Sequence, residues 1–102
     1  MRKGNIVKIT KNVVNGLRPL TESEIIEWYN SPASKGINSA GESKLPPTCT
    51  STQIKDTDIL VVERARCAVQ LTYGRPTPGM TLVLLPSGET TYVKRNLLQI
   101  IS

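Results

Sequence analysis

The sequence predicts a mainly β fold, a small barrel of four to five strands with one short inserted helix and a long loop. Three observations predict it. From Gly79 to Ile101 the chain reads as an apolar strand, a tight turn at Ser87-Gly88, a short strand, a basic turn at Lys94-Arg95-Asn96 and an apolar closing segment. The opening Lys3-Gly4-Asn5-Ile6-Val7-Lys8-Ile9 is a second half-apolar segment, suited to pair with that closing one. With no Phe and only four aromatic residues, the core must be built from Ile, Leu and Val, which fit a pleated surface. A length of 102 residues allows a single domain, 1–102, with one modest core.

Strands are expected at about 5–10, 59–73, 80–86, 89–93 and 97–101, with an insertion at about 17–58. In the first, Val7 and Ile9 share one face and Lys8 and Thr10 the other, the period-two pattern of a half-buried strand. Asn15-Gly16 reads as a turn, since both residue types tolerate positive φ. Thr21-Glu22-Ser23-Glu24 has the spacing of a capping box opening a helix at about 22–30. Ile25, Trp28 and Tyr29 would share one face of it, and Pro32 stops it. Residues 31–53 are rich in Ser, Thr, Pro and Gly, with Ile37 and Leu45 the only large aliphatics; they are expected to form a mobile loop. From Arg64 the alternation is clean: Ala65, Cys67, Val69, Leu71 and Tyr73 on one side, Arg64, Arg66 and Ala68 on the other. A helix would scatter the two arginines around the apolar stripe, so a strand is expected. Residues 74–79 form a turn-rich connection, and Gly88 supplies the positive φ of the last hairpin.

The net charge of +5 is unevenly spread. Residues 1–20 carry five bases and no acid, residues 21–63 three bases against seven acids, and residues 64–102 five bases against Glu89. The expected barrel segments are therefore basic and the insertion acidic, which bears on partners. The longest apolar run, Met80–Leu85, is far short of the roughly 20 residues of a membrane span. No signal-peptide pattern follows Met1-Arg2-Lys3, so a cytoplasmic, non-membrane protein is expected. Cys49 and Cys67 are read as reduced thiols, and the absence of His argues against a zinc site. No cofactor is expected. Without His there is no Ser-His or Cys-His pair either, and Asp56-Thr57-Asp58 reads as a turn rather than a carboxylate pair. The chain is not expected to be an enzyme.

Lys3–Ile9 resembles the Gly-x-x-Val-x-Val opening of SH3-like and KOW-type small barrels. Val83–Val93 with Leu97–Ile101 is similar to their closing hairpin, short turn and last strand. Small accessory proteins of tailed bacteriophages look similar. The resemblance covers the barrel segments, and the insertion departs from it. The family includes RNA, DNA, protein and ribosome binders, so the fold implies no single function.

Two sets of residues are candidates for contact. Arg64 and Arg66 project from one strand face about 7 Å apart, Lys94-Arg95 occupy the turn before the last strand, and Lys8 lies on the polar face of the first. Guanidinium groups suit phosphates, so this set implies an anionic ligand: DNA, RNA or a phosphate-bearing nucleotide. The bland alternative is a solvated basic face. Base stacking has little to work with, since only Tyr73 and Tyr92 lie in the barrel segments. The second set is Trp28 and Tyr29, as partner-binding anchors or as core residues holding the helix. Of the two readings, a binding protein that modulates a host polymerase, nuclease or defence factor is preferred over the anionic-ligand reading, because the insertion is more structure than phosphate binding requires. A homo-oligomer closed by an exposed edge strand is a third possibility. The sequence leaves partner and oligomeric state open.

Overall fold

The computed structural model describes residues 1–32 and 46–102. These form seven strands and one helix: β1 (Ile6–Ile9), β2 (Val13–Pro19), α1 (Glu22–Tyr29), β3 (Cys49–Lys55), β4 (Leu60–Val69), β5 (Thr77–Leu84), β6 (Thr90–Lys94) and β7 (Leu98–Ile100). A 3-10 turn, Arg95–Leu97, precedes β7. All seven strands make one antiparallel sheet in the order β3-β2-β6-β5-β4-β1-β7.

The two ends of the chain pair. Val7, Lys8 and Ile9 lie opposite Ile100, Gln99 and Leu98, and the Ile6 amide donates to the Ser102 carbonyl at 3.0 Å. Gly4 turns at a φ of 91° and donates to the Val62 carbonyl at 2.7 Å, which carries β1 onto β4. The hairpin between β5 and β6 closes at Gly88, whose φ is 93°. There the Leu85 amide donates to the Glu89 carbonyl at 2.8 Å.

Seven strands rather than four or five is the main correction to the sequence reading. The two extra strands, β2 and β3, pair with each other over seven residues, from Val13↔Lys55 to Pro19↔Cys49. Asn15-Gly16 is therefore no turn; both residues lie inside β2. The expected loop at 31–53 is corrected at its end, since Cys49–Gln53 are strand. β3 is spelled Cys-Thr-Ser-Thr-Gln-Ile-Lys, so its strand tendency rests on β-branched Thr without the apolar alternation that would reveal it. Residues 33–45 of that expected loop fall outside the described residues.

Residues from all seven strands and their turns supply the core. Val7, Ile9, Val14, Ile54, Leu60, Val62, Val83, Leu85, Val93 and Leu98 make one buried cluster, with Met1, Ala65 and Leu97 packed on it. Ile, Leu and Val supply all of it, as a chain without Phe requires. β2 and β3 contribute Val14 and Ile54, and through Ile54 the expected insertion helps to build the core. Two buried hydroxyls are satisfied by backbone: Thr81 donates to the Ala65 carbonyl at 2.9 Å and Thr91 to that of Leu17 at 3.3 Å.

Candidate functional site

β4 carries Arg64 and Arg66 through an irregular stretch. Its register against β5 shifts between Val62 and Arg64, between Arg64 and Cys67, and again before Val69. Such bulges re-aim side chains and increase local twist. The strand consequently ends at Val69, short of the 73 expected. Beyond it Leu71 is buried and Tyr73 is exposed, so the two do not continue one face. Both arginines are exposed.

Lys94 ends β6 and Arg95 opens the 3-10 turn. They meet Asn96, Pro78 and Gly79 around a groove of about 550 Å³. Gly79 lines it without a side chain. It has a φ of 73°, and a Cβ built there would have nothing within 4 Å. The cationic side chains of Lys94 and Arg95 thus line the groove together with Pro78, Gly79 and Asn96.

Register places the other basic residues relative to this groove. Arg64 lies opposite Leu82, which lies opposite Tyr92, which lies opposite Leu17. Cys67, Met80 and Lys94 form the next row. Paired residues share a face, so Arg64 and Lys94 stand on the same side of the sheet, two strands and two residues apart, a Cα separation of roughly 12 Å. Half-buried Leu82 and Tyr92 lie between them. Lys8 does not join the group. It sits on β1 opposite Gln99, one residue beyond the Val7↔Leu60 pair, which leaves it roughly 16 Å along the sheet from Arg64.

The other predicted pair, Trp28 and Tyr29, lies on α1, where the two rings make an edge-to-face contact at 5.2 Å and 80°. Trp28 is half-buried and Tyr29 is 57% exposed; no residue of the helix is buried. The helix is therefore not held by core burial. A polar clasp holds its start instead. The Glu24 carboxylate accepts from Arg18 at 2.7 and 3.1 Å and from the Thr21 amide and hydroxyl at 3.1 and 3.0 Å, while the Glu24 amide donates to the Thr21 hydroxyl at 3.3 Å. The Arg18 guanidinium, with help from Thr21, holds the Glu24 carboxyl down to about 2, against 4.5 ordinarily. Glu24 in turn raises Arg18. Arg18, one of the five N-terminal bases, is consumed by this pair.

Between α1 and the β4–β5 connection lies a second cleft of about 430 Å³ lined by Leu20, Ile25, Pro46, Pro47 and Tyr73 among others. The Tyr73 hydroxyl donates to the Pro46 carbonyl at 2.7 Å, and the Thr48 hydroxyl donates to that of Leu71. These bonds tie the far end of the β4–β5 arm to the segment entering β3.

Asp58 caps a turn, accepting from the Lys55 amide at 2.9 Å while its own amide donates to the Lys55 carbonyl at 3.0 Å. Both cysteines are half-buried free thiols, and Cys67 touches the Arg64 carbonyl at 3.8 Å. Among the described residues no group of three His, Cys, Asp or Glu side chains could hold a metal ion. No helix there is long and apolar enough to cross a membrane.

Sequence reasoning had Lys94 and Arg95 but missed Pro78, Gly79 and Asn96. The signal was the Thr77-Pro78-Gly79 triplet, read only as the end of a connection. A glycine that must take positive φ inside a strand marks a bulge or a close approach. No protein-family model, curated protein or solved structure matches this chain.

Proposed function

We propose that this chain is a non-catalytic binding module of SH3-like barrel build, whose basic groove holds an anionic, phosphate-bearing partner. One observation carries the reading: Lys94 and Arg95 line the same groove as Asn96 and Gly79, with Arg64 on the same face about two strands away. The pairing of β1 with β7 and the short turn at Arg95–Leu97 support the barrel reading. In this reading Lys94 and Arg95 take one phosphate and Arg64 and Arg66 another. A spacing of roughly 12 Å between the two centres fits a flexible polyanion such as single-stranded nucleic acid better than a lone phosphate. The half-buried Tyr92 and Leu82 between them offer apolar contact to whatever links the charges.

Fluorescence anisotropy with labelled single-stranded and duplex oligonucleotides over a salt series tests this. Two neutralised phosphates predict that log K falls with log salt at a slope of about −1.4 for a single strand. Replacing Lys94 and Arg95 by Ala should roughly halve that slope and weaken low-salt binding more than about tenfold. Lys8→Ala should change neither. No binding to either oligonucleotide at low salt would remove the proposal.

A second reading has its own observation. α1 buries no residue and leaves Ile26 54% and Tyr29 57% exposed, a surface suited to a protein partner. In this reading the chain is a phage-type accessory protein and α1, with Trp28 and Tyr29, contacts a host protein. Affinity capture from a bacterial lysate with the native chain and with Ile26→Asp separates the two, because only the protein-partner reading predicts a loss.

A further inference from the structure

The two edges of the sheet differ. On one side β7 is three residues long; on the other β3 is seven, paired with β2 at every residue and without a bulge. Natural sheets blunt long edges with charge, proline, bulges or a covering segment. Over Cys49 to Ile54 β3 has none of the first three, with no charged residue, no proline and no bulge, and its one charge is Lys55 at its end. Among the described residues, none outside β2 exchanges a backbone hydrogen bond with Cys49–Ile54.

The ladder says which groups face outward. The Leu20 amide donates to the Thr48 carbonyl at 3.2 Å and the Asp56 amide to the Asn12 carbonyl at 3.0 Å, so these two pairs bracket the β2–β3 register as hydrogen-bonded pairs. In an antiparallel ladder such pairs alternate with non-bonded ones. Thr50, Thr52 and Ile54 therefore bond to β2, and Cys49, Ser51 and Gln53 direct their backbone amides and carbonyls away from the sheet, whereas both groups of Lys55 are already held by Asp58. Ser51, Gln53 and Lys55 are exposed.

We propose that β3 is a homodimer edge: two copies of this chain pair antiparallel through β3, about a two-fold axis at Thr52. The strand is its own complement in that register. Thr52 is the midpoint of Cys49–Lys55, so the two central outward-facing residues find partners, Ser51 against Gln53 of the second copy and Gln53 against its Ser51, while Cys49 lies across from Lys55, whose backbone groups stay with Asp58. No like charges face each other, and the contact is the same patch on both copies, as a two-fold dimer requires. The self-complementary register favours a second copy over an unrelated extended segment. The proposal does not rest on the basic groove, whose cationic side chains belong to β6 and the turn after it.

Sedimentation velocity of the full chain from micromolar to millimolar concentration is the test. The native chain should pass from monomer to dimer. Gln53→Pro removes an outward amide while sparing the bonds to β2, and should leave a monomer throughout, with the dichroism spectrum of the native chain. Lys at both positions 51 and 53 sets like charges opposite each other twice and should also give a monomer. Ser51→Lys with Gln53→Glu sets opposite charges there and should restore a dimer that weakens with salt. This charge comparison decides the matter even if the proline variant does not fold. A native chain monomeric at every concentration overturns the proposal, as does a dimer indifferent to all three variants.

Discussion

The absence of a side chain at Gly16 lets β2 close over β6. A Cβ there would stand 2.5 Å from the Thr91 hydroxyl oxygen, 2.6 Å from its methyl and 3.1 Å from the Ile54 Cδ1. Thr91 is buried, and its hydroxyl is already committed to the Leu17 carbonyl, so it has little freedom to turn aside. Gly16→Ala should therefore destabilise by about 1–3 kcal/mol through overpacking, read from urea unfolding. Combining it with Thr91→Ala, which removes both colliding atoms, should cost less than the two single changes added together. Read as sequence, Asn15-Gly16 points to a turn through glycine's tolerance of positive φ. Its use here is the other property of glycine, its lack of volume, and nothing local distinguishes the two.

α1 shows an element fixed at one end by polar groups and lightly held elsewhere. Its capping box was legible because Thr21 and Glu24 stand three residues apart with an amphipathic run behind them. The partner Arg18 was not, because its contact with Glu24 depends on β2 leading directly into the helix. The Glu24 carboxyl is held below its ordinary value in the folded state, so its contribution is fully present above about pH 4.5 and fades as pH falls toward about 2. The helix should fray across that window while the sheet persists, since no helix residue is buried. Trp28 fluorescence and α1 amide exchange should report it, and Glu24→Gln should flatten the Trp28 response. A pH response unchanged in that variant would assign the change to another group.

At the scale of the whole molecule, stability depends on the meeting of the chain's two ends. β7 supplies Leu98 to the core and the outer ladder to β1. Ending the chain after Asn96 removes the Leu97 carbonyl that accepts from the Thr10 amide at 2.9 Å, the Leu98 side chain and all of β7. Loss of a buried Leu alone costs about 2–5 kcal/mol, a large share of the 5–15 kcal/mol typical of a folded domain. The truncated chain should be unfolded or barely folded at room temperature by far-ultraviolet dichroism. A cooperative melt near that of the native chain would show that β7 is dispensable.

The sequence by itself determined the mainly β class, the closing hairpin turning at Gly88, the capped helix and the Ile/Leu/Val core, because each follows from local periodicity, turn chemistry or composition. It also singled out Lys94 and Arg95, whose place where a strand gives way to a turn is local information. Only the tertiary structure decided that β2 and β3 join the sheet, because a polar edge strand is specified by its neighbour's backbone and not by its own apolar pattern. Only it decided that Arg64 shares a face with Lys94 while Lys8 lies well away. Those relations depend on register across strands distant in sequence, which no spacing along the chain encodes.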